Sequence, residues 1–226
     1  MGCELRMGKN LINILKRKDV GAIGIGAMIV FIAMVLVAGI AASVLIQTAG
    51  NLEMSAMRAG QETEAEVATG LAITDVEGHV DTDEKKIDNL TINIKPRAGS
   101  KEIDLEQAVL EISNSSTKVV LTWGGSNYYA NVTAGAGVFS TTSVFDVGNT
   151  QFGIIELEDA DNSSIYTGPV INRGDLVMLT VNAHECFNKL PARTDVWGQV
   201  IPEEGAPGVF SFRTPASLTD EVYDLY

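Results

Sequence analysis

Residues 16–50 read KRKDVGAIGIGAMIVFIAMVLVAGIAASVLIQTAG: a cationic triplet, a glycine-rich step, then an apolar rod. The uncharged stretch that contains the rod runs for 33 residues, from Val20 to Leu52. Its apolar part, Ala22 to Ile46, is 25 residues, about 38 Å as a helix at about 1.5 Å per residue. A hydrocarbon core of about 30 Å is crossed by such a rod. The run is longer than the roughly 7–15 apolar residues of an ordinary secretory signal, and no A-x-A site closes it. Small residues gather instead at its start, Gly21-Ala22-Ile23-Gly24-Ile25-Gly26. A cut at that point leaves the whole apolar helix on the mature chain; the alternative is an uncleaved signal anchor.

Working outward, residues 1–21 hold five basic side chains (Arg6, Lys9, Lys16, Arg17, Lys18) against Glu4 and Asp19. Met7 offers an alternative start with the same basic end. The full chain has 226 residues and a net charge of −13, so everything after residue 21 carries −16. The positive-inside rule then keeps the N-terminus in the cytoplasm and sends the acidic bulk outward. A mean hydropathy of +0.15 and 46% hydrophobic residues exclude a disordered chain, and no second long apolar run suggests a polytopic membrane protein. With 29 acidic against 16 basic residues, phosphate is repelled and nucleic acid is not an expected partner. Cys3 and Cys186 are too few for a disulfide framework.

The rod is dotted with small residues. Ala22 and Gly26, and Ala38 and Ala42, repeat at i, i+4 and share a helix face, and Gly24, Gly39 and Ser43 are interleaved with Phe31, Met34, Leu36 and Leu45. A lone anchor facing lipid needs only large side chains, whereas small ones let helices approach closely. From Gln47 to Val67 apolar and charged residues mix without a proline, so the reading is one helix over 22–67. Beyond it the texture changes: all six prolines lie after residue 95. Leu90, Ile92 and Ile94 alternate with polar neighbours, the period of a half-buried strand. Further strands are expected at Ile103–Leu105, Lys118–Trp123, Val138–Val147, Phe152–Leu157, Asp175–Asn182 and Val209–Arg213, with glycine-, proline- and Asx-rich turns between them. The fold class expected is α+β: a long hydrophobic N-terminal helix followed by an antiparallel β-sandwich or barrel head.

The 35 residues quoted above resemble the N-terminus of archaeal flagellins (archaellins), members of the type IV pilin-like superfamily, above all in GIG-x-x-IVFIAMVLVA. The resemblance implies residues 1–21 as a class III, prepilin-like leader, cut between Gly21 and Ala22 by a prepilin-peptidase-like protease. It implies residues 22–67 as precursor anchor and later filament core, with Ala22, Gly24, Gly26, Phe31, Met34, Ala38, Gly39 and Ala42 in the packed helix, and 68–226 as the head. Asp19 and Val20 depart from a purely basic approach to the cut. Bacterial type IV pilins usually carry a glutamate at the fifth mature position; Gly26 stands there instead and favours the archaeal family. The implied partners are copies of the chain or other archaellins, the protease and the archaellum assembly machinery in the membrane. The implied place is a surface filament used for swimming. Two other readings stay open: an adhesive type IV-like pilus subunit, and a solitary membrane-anchored β-domain.

The chemistry of the head is surface chemistry. Asn89-Leu-Thr, Asn114-Ser-Ser, Asn131-Val-Thr and Asn162-Ser-Ser are N-x-S/T sequons, all in the part placed outside, and archaellins are N-glycosylated. Asp81, Asp83 and Glu84 offer oxygens to a hard cation, but the D-x-D-G spacing is missing and a charged turn is expected. Glu156, Glu158, Asp159 and Asp161 read as a solvated edge. His184-Glu185-Cys186 has no second nearby ligand and reads as a partly buried thiol. No metal, cofactor or enzymatic motif is expected. Phe152, Trp197, Tyr223 and Tyr226 are candidate anchors between subunits, with core packing the preferred reading for Phe152 and Trp197, and the Leu218–Tyr226 run reads as a final strand or a subunit contact.

Overall fold

A computed structural model describes residues 4–132 and 137–226, and within that range the side chains of 4–20, 22 and 142 are not described. The chain divides into two compact units, Met1–Gly60 and Gln61–Tyr226. Helix α1 runs from Glu4 to Ala68, 65 residues. No proline occurs before Pro96, so no position lacks the N–H that a helix interior needs. The expected start at residue 22 is therefore the start of the apolar part only; the helix is already formed upstream.

The head carries thirteen strands among the described residues. They are β1 Leu71–Asp81, β2 Lys86–Pro96, β3 Ile103–Asp104, β4 Val109–Asn114, β5 Lys118–Trp123, β6 Tyr129–Asn131 and β7 Gln151–Glu158, then β8 Ser164–Ile165, β9 Gly168–Ile171, β10 Leu176–Asn182, β11 Asp195–Ile201, β12 Gly208–Arg213 and β13 Val222–Asp224. A short helix, α2 Ala183–Phe187, is capped by Asn182, whose side chain accepts from Glu185 N at 3.1 Å, and closed by left-handed Asn188.

One ten-stranded sheet is ordered β12-β11-β4-β5-β7-β10-β2-β1-β13, with β6 added beside β7, and β3-β9-β8 form a small separate sheet. Most pairings are antiparallel, as alternation on short strands favours; β5 and β6 both join β7 in parallel. The long sheet curls until its ends meet: Leu71 N donates to Ala206 O at 3.1 Å and Ala206 N to Thr69 O at 2.9 Å. Inside the curl lie Leu71, Ile92, Leu110, Phe152, Ile154 and Phe210, fully buried.

Two expectations fail. Val138–Val147 is not a strand but two 3₁₀ turns, Val138–Ser140 and Thr142–Val144. Its apolar residues do not alternate; Val144 and Phe145 instead form a side cluster with Ile155 and Met178. Thr180 Oγ1 donates to Val144 O at 2.6 Å and Asn182 Nδ2 to Phe145 O at 3.0 Å, so these carbonyls need no ladder partner. Trp197 is the other. It is 48% exposed, because Val196 and Val200 take the inward parity of β11. Phe152 is core as expected.

Candidate assembly surface

From Ile23 to Leu52 every described residue of α1 is exposed. Eighteen large apolar side chains between Ile23 and Met57 stand in the open, Phe31 at 69% and Met34 at 66% among them. Each costs on the order of 1.5–3 kcal/mol when left in water, and together they far exceed the roughly 5–15 kcal/mol that holds an ordinary domain folded. The helix is long and apolar enough to cross a membrane. In water such a helix requires a cover.

The glycines say more. At Gly24, Gly26, Gly39 and Gly50 an added Cβ would meet nothing within 4 Å. Each glycine costs a helix interior about 1 kcal/mol relative to alanine, and no contact among the described residues asks for it. Ala38 and Ala42 are exposed in the same way. The backbone of Gly21 and Ala22 lies within unbroken helix; the Ala22 side chain is outside the described residues.

The four sequon asparagines are not equivalent. Asn131 ends β6 exposed, with Thr133 of its tripeptide outside the described residues. Asn162 is exposed in a left-handed conformation, φ 58°. Its loop is pinned by Asp159, whose carboxylate accepts from the N–H groups of Asn162 at 2.7 Å and Ser164 at 2.9 Å. Asn114 is half-buried and its Oδ1 closes the β4–β5 turn by accepting from Thr117 N at 2.7 Å. Asn89 sits in mid-sheet, paired with His79 on one side and Asn182 on the other, and the hydroxyl-bearing Thr91 is fully buried.

The acidic groups resolve differently from one another. Lys189 Nζ bridges Asp81 at 2.6 Å and Glu84 at 2.8 Å, and Lys86 adds a contact to Glu84 at 3.2 Å. That is the charged turn the sequence suggests, and the hydrogen bonds from Lys189 hold both carboxyls below their usual range. The Glu156–Asp161 stretch is not a simple solvated edge. Asp159 and Asp161 come within 4.8 Å of Asp175, which is buried. N–H donors from Ala160, Asn172 and the loop compensate the three charges. The Tyr129 hydroxyl donates to Glu156 in the same region and lies 2.9 Å from Ser164 O; burial first, then the hydrogen bond to Glu156, raises its pKa. The Asp175 partnership is 14 or more residues away in sequence and had no local signal.

Cys186 is half-buried on α2, its thiol pushed up to about 11 by burial and then by the Glu185 charge. A protonated thiol is a poor nucleophile. His184 Nδ1 lies 3.2 Å from Glu185 Oε1 and no further. Tyr223 is used internally: its hydroxyl oxygen accepts from Thr219 N at 2.7 Å and Asp220 N at 3.0 Å, closing the turn before β13. Tyr226 is exposed.

A family model described as archaeal-type flagellin matches residues 21–212. Flagellin B2 of Methanocaldococcus jannaschii is 48% identical over 208 residues, covering 91% of this chain and 94% of that protein. Among solved structures, archaeal flagellin FlaB1 from the same organism is 38% identical with a TM-score of 0.63, over 70% of this chain and 97% of its own. The archaeal flagellum of Methanospirillum hungatei strain JF1 shares the fold at a TM-score of 0.61 and 15% identity, over 89% of this chain and 98% of that one.

Proposed function

The chain belongs to the archaeal-type flagellin family, and we propose that it is a structural subunit of the archaellum filament that polymerises through residues 22–67. The observation that carries this reading is the bare apolar helix, with its eighteen exposed large side chains and its glycines that touch nothing. One helix serves two environments in turn. In the precursor it holds the chain in the cytoplasmic membrane, where a helix pairs its backbone polar groups internally. After release it packs against the same helix of neighbouring copies or of other archaellins. Both surroundings are apolar, so the transfer itself supplies little drive; close approach at Gly24, Gly26, Ala38, Gly39 and Ala42 tips the balance toward the bundle.

A cut between Gly21 and Ala22 by a prepilin-peptidase-like protease makes the transfer possible. It removes the leader's net charge of +3, which a dry bundle does not accommodate unpaired. Assembly machinery in the membrane then receives the mature chain. Heads meeting by contacts that do not close generate a helical fibre. The head takes no catalytic role. Glycans at the exposed Asn131 and Asn162 are compatible with the folded head, whereas Asn89 and Asn114 are committed to the sheet and its turn. Intact-mass measurement of Asn→Gln variants at the four positions assigns them.

The deciding experiment is N-terminal sequencing of protein from sheared surface fibres. The expected sequence begins Ala22-Ile23-Gly24. Protein that stays in the membrane fraction with residues 1–21 attached refutes the proposal.

A further inference from the structure

The outer face of β12-β11-β4-β5 breaks the rule that an exposed sheet face is polar. Trp197 is 48% exposed, Val209 61% and Val120 49%. They are neighbours by register: Trp197 lies opposite Ser211 and Ser113, Gln199 opposite Val209 and Glu111, and Glu111 opposite Val120. A shallow recess of about 300 Å³ sits among Trp197, Val209, Phe210, Ile112, Lys118 and Ser211. Trp197 and Val209 at its lip stay exposed among the described residues. An exposed tryptophan is the residue type that anchors interface centres.

Its electrostatics single it out further. Residues 69–226 hold 23 acidic against 10 basic side chains, so two copies of the head repel over most of their surfaces. On this face each acid has its base. Glu111 meets Lys118 at 2.8 Å and also accepts from Gln199 Nε2 at 2.8 Å, and Asp195 meets Arg213 at 3.5 Å. The face is apolar at its centre and neutral overall, so it can meet another part of a neighbouring acidic head without adding an uncompensated carboxylate of its own.

We propose that this face is where the head of one subunit docks on the head of a neighbouring copy in the filament, with Trp197 as the anchor. The assignment rests on the filament reading, since a copy is the occupant that the exposed helix already brings close. Trp197 fills a recess between heads, and Val209 and Val120 flank it. The Glu111–Lys118 and Asp195–Arg213 pairs form the rim, where ion pairs steer approach more than they add affinity.

The test replaces Trp197 by a photo-reactive aromatic amino acid in otherwise native filaments. Irradiation is expected to give a ladder of covalently joined subunits on a denaturing gel. Monomer alone, or a conjugate to a different protein, overturns the assignment. In parallel, Trp197→Glu places an unpaired carboxylate in the recess and is expected to shorten or abolish filaments while Trp197→Phe keeps them. Trp197→Glu filaments of normal length and heat resistance also overturn it. If that variant fails to fold, the cross-link decides alone. Normal filaments that carry the photo-reactive residue yet give no cross-link sink the face and leave the helix reading intact; a wild-type chain found only as membrane-bound monomer sinks both.

Discussion

Gly205 faces Thr69 so closely that a Cβ on the glycine would lie 2.2 Å from the Thr69 carbonyl oxygen. Gly205 also holds φ at +97°, in a region that L-residues rarely adopt. The contact exists because Ala206 must reach the segment that leaves the helix: it donates to Thr69 O and accepts from Leu71 N, closing the curled sheet. Gly205→Ala is therefore expected to cost about 2–5 kcal/mol, the sum of a strained φ and a backbone clash. Gly174, at φ +108° with open space around its Cβ, provides the comparison. Gly174→Ala carries only the conformational part, about 1–3 kcal/mol. Denaturant unfolding of the two variants in detergent measures the difference, and equal losses would show that the approach to Thr69 is unimportant.

Acid should stabilise one corner of the head. Glu77 on β1 pairs in register with Asp224 on β13. Burial raises the Asp75 pKa, and sharing a hydrogen bond with Asp224 and feeling its charge raise it further. Burial, then the charges of Asp75 and Asp224, raise Glu77. A carboxyl whose folded pKa is raised binds its proton more readily in the folded state, so its ionisation disfavours the fold. The penalty is fully present at neutral pH and is relieved as pH falls through the raised values toward the ordinary carboxylate range near about 4. Asp224→Asn removes the repulsion. Its gain in stability is expected to be largest at neutral pH and to shrink as acid is added. The Asp81, Glu84 and Glu111 carboxyls have lowered pKa values through their lysine partners; their contribution is lost only at more acid pH, below the ordinary range. A gain that is constant with pH would place the effect in packing rather than charge.

How much of this was legible depends on whether the cause was local. The rod was plain because its uncharged length and lack of proline are properties of one stretch. β2 is plain because Leu90, Ile92 and Ile94 alternate with polar neighbours, and β5 because β-branched and aromatic residues fill a short run. β1 was missed: register shifts at Ile73/Asp75 and His79/Val80 disturb its alternation. β11 hid for another reason. Its inward positions are Val196, Gly198 and Val200, and Gly198 looks like a turn in sequence although the Phe210 ring fills the space its Cβ would need, 2.5 Å away. With that parity hidden, Trp197 reads as core from the sequence. The buried Asp175 beside Asp159 joins two loops that sequence alone does not bring together.

The proposed cleavage between Gly21 and Ala22 requires more than a chemical site. Gly21 and Ala22 lie inside continuous helix, and a helical peptide bond is shielded from a protease until the turn unwinds. Gly21, Gly24 and Gly26 lower the cost of unwinding, each by about 1 kcal/mol relative to alanine. Gly21→Val is expected to block processing through its branched side chain at the cut, and Gly24→Ala with Gly26→Ala to slow it without abolishing it. Pulse-labelling of precursor and mature chain reads both. Normal filaments assembled from full-length Gly21→Val protein would remove cleavage as the release step.

The glycine at position 39 separates packing from mere hydrophobicity. Beyond the helix's own backbone, no described atom lies within 4 Å of where its Cβ would be, so Gly39→Leu adds apolar surface without a clash among the described residues. Leucine also favours the helix over glycine by somewhat under 1 kcal/mol, and lipid accepts it readily. A purely hydrophobic account of assembly then has Gly39→Leu filaments at least as stable as native ones. Close packing predicts the opposite: a leucine forces neighbouring backbones apart from their contact distance, roughly 8–10 Å between axes. Filament yield from cells is expected to fall steeply for Gly39→Leu and to change little for Met34→Leu, which keeps side-chain volume at a position that is already large. Helicity of both variants in detergent should stay at or above that of the native chain. If Gly39→Leu filaments survive heating as well as native ones, the glycines are not what draws the helices out of the membrane.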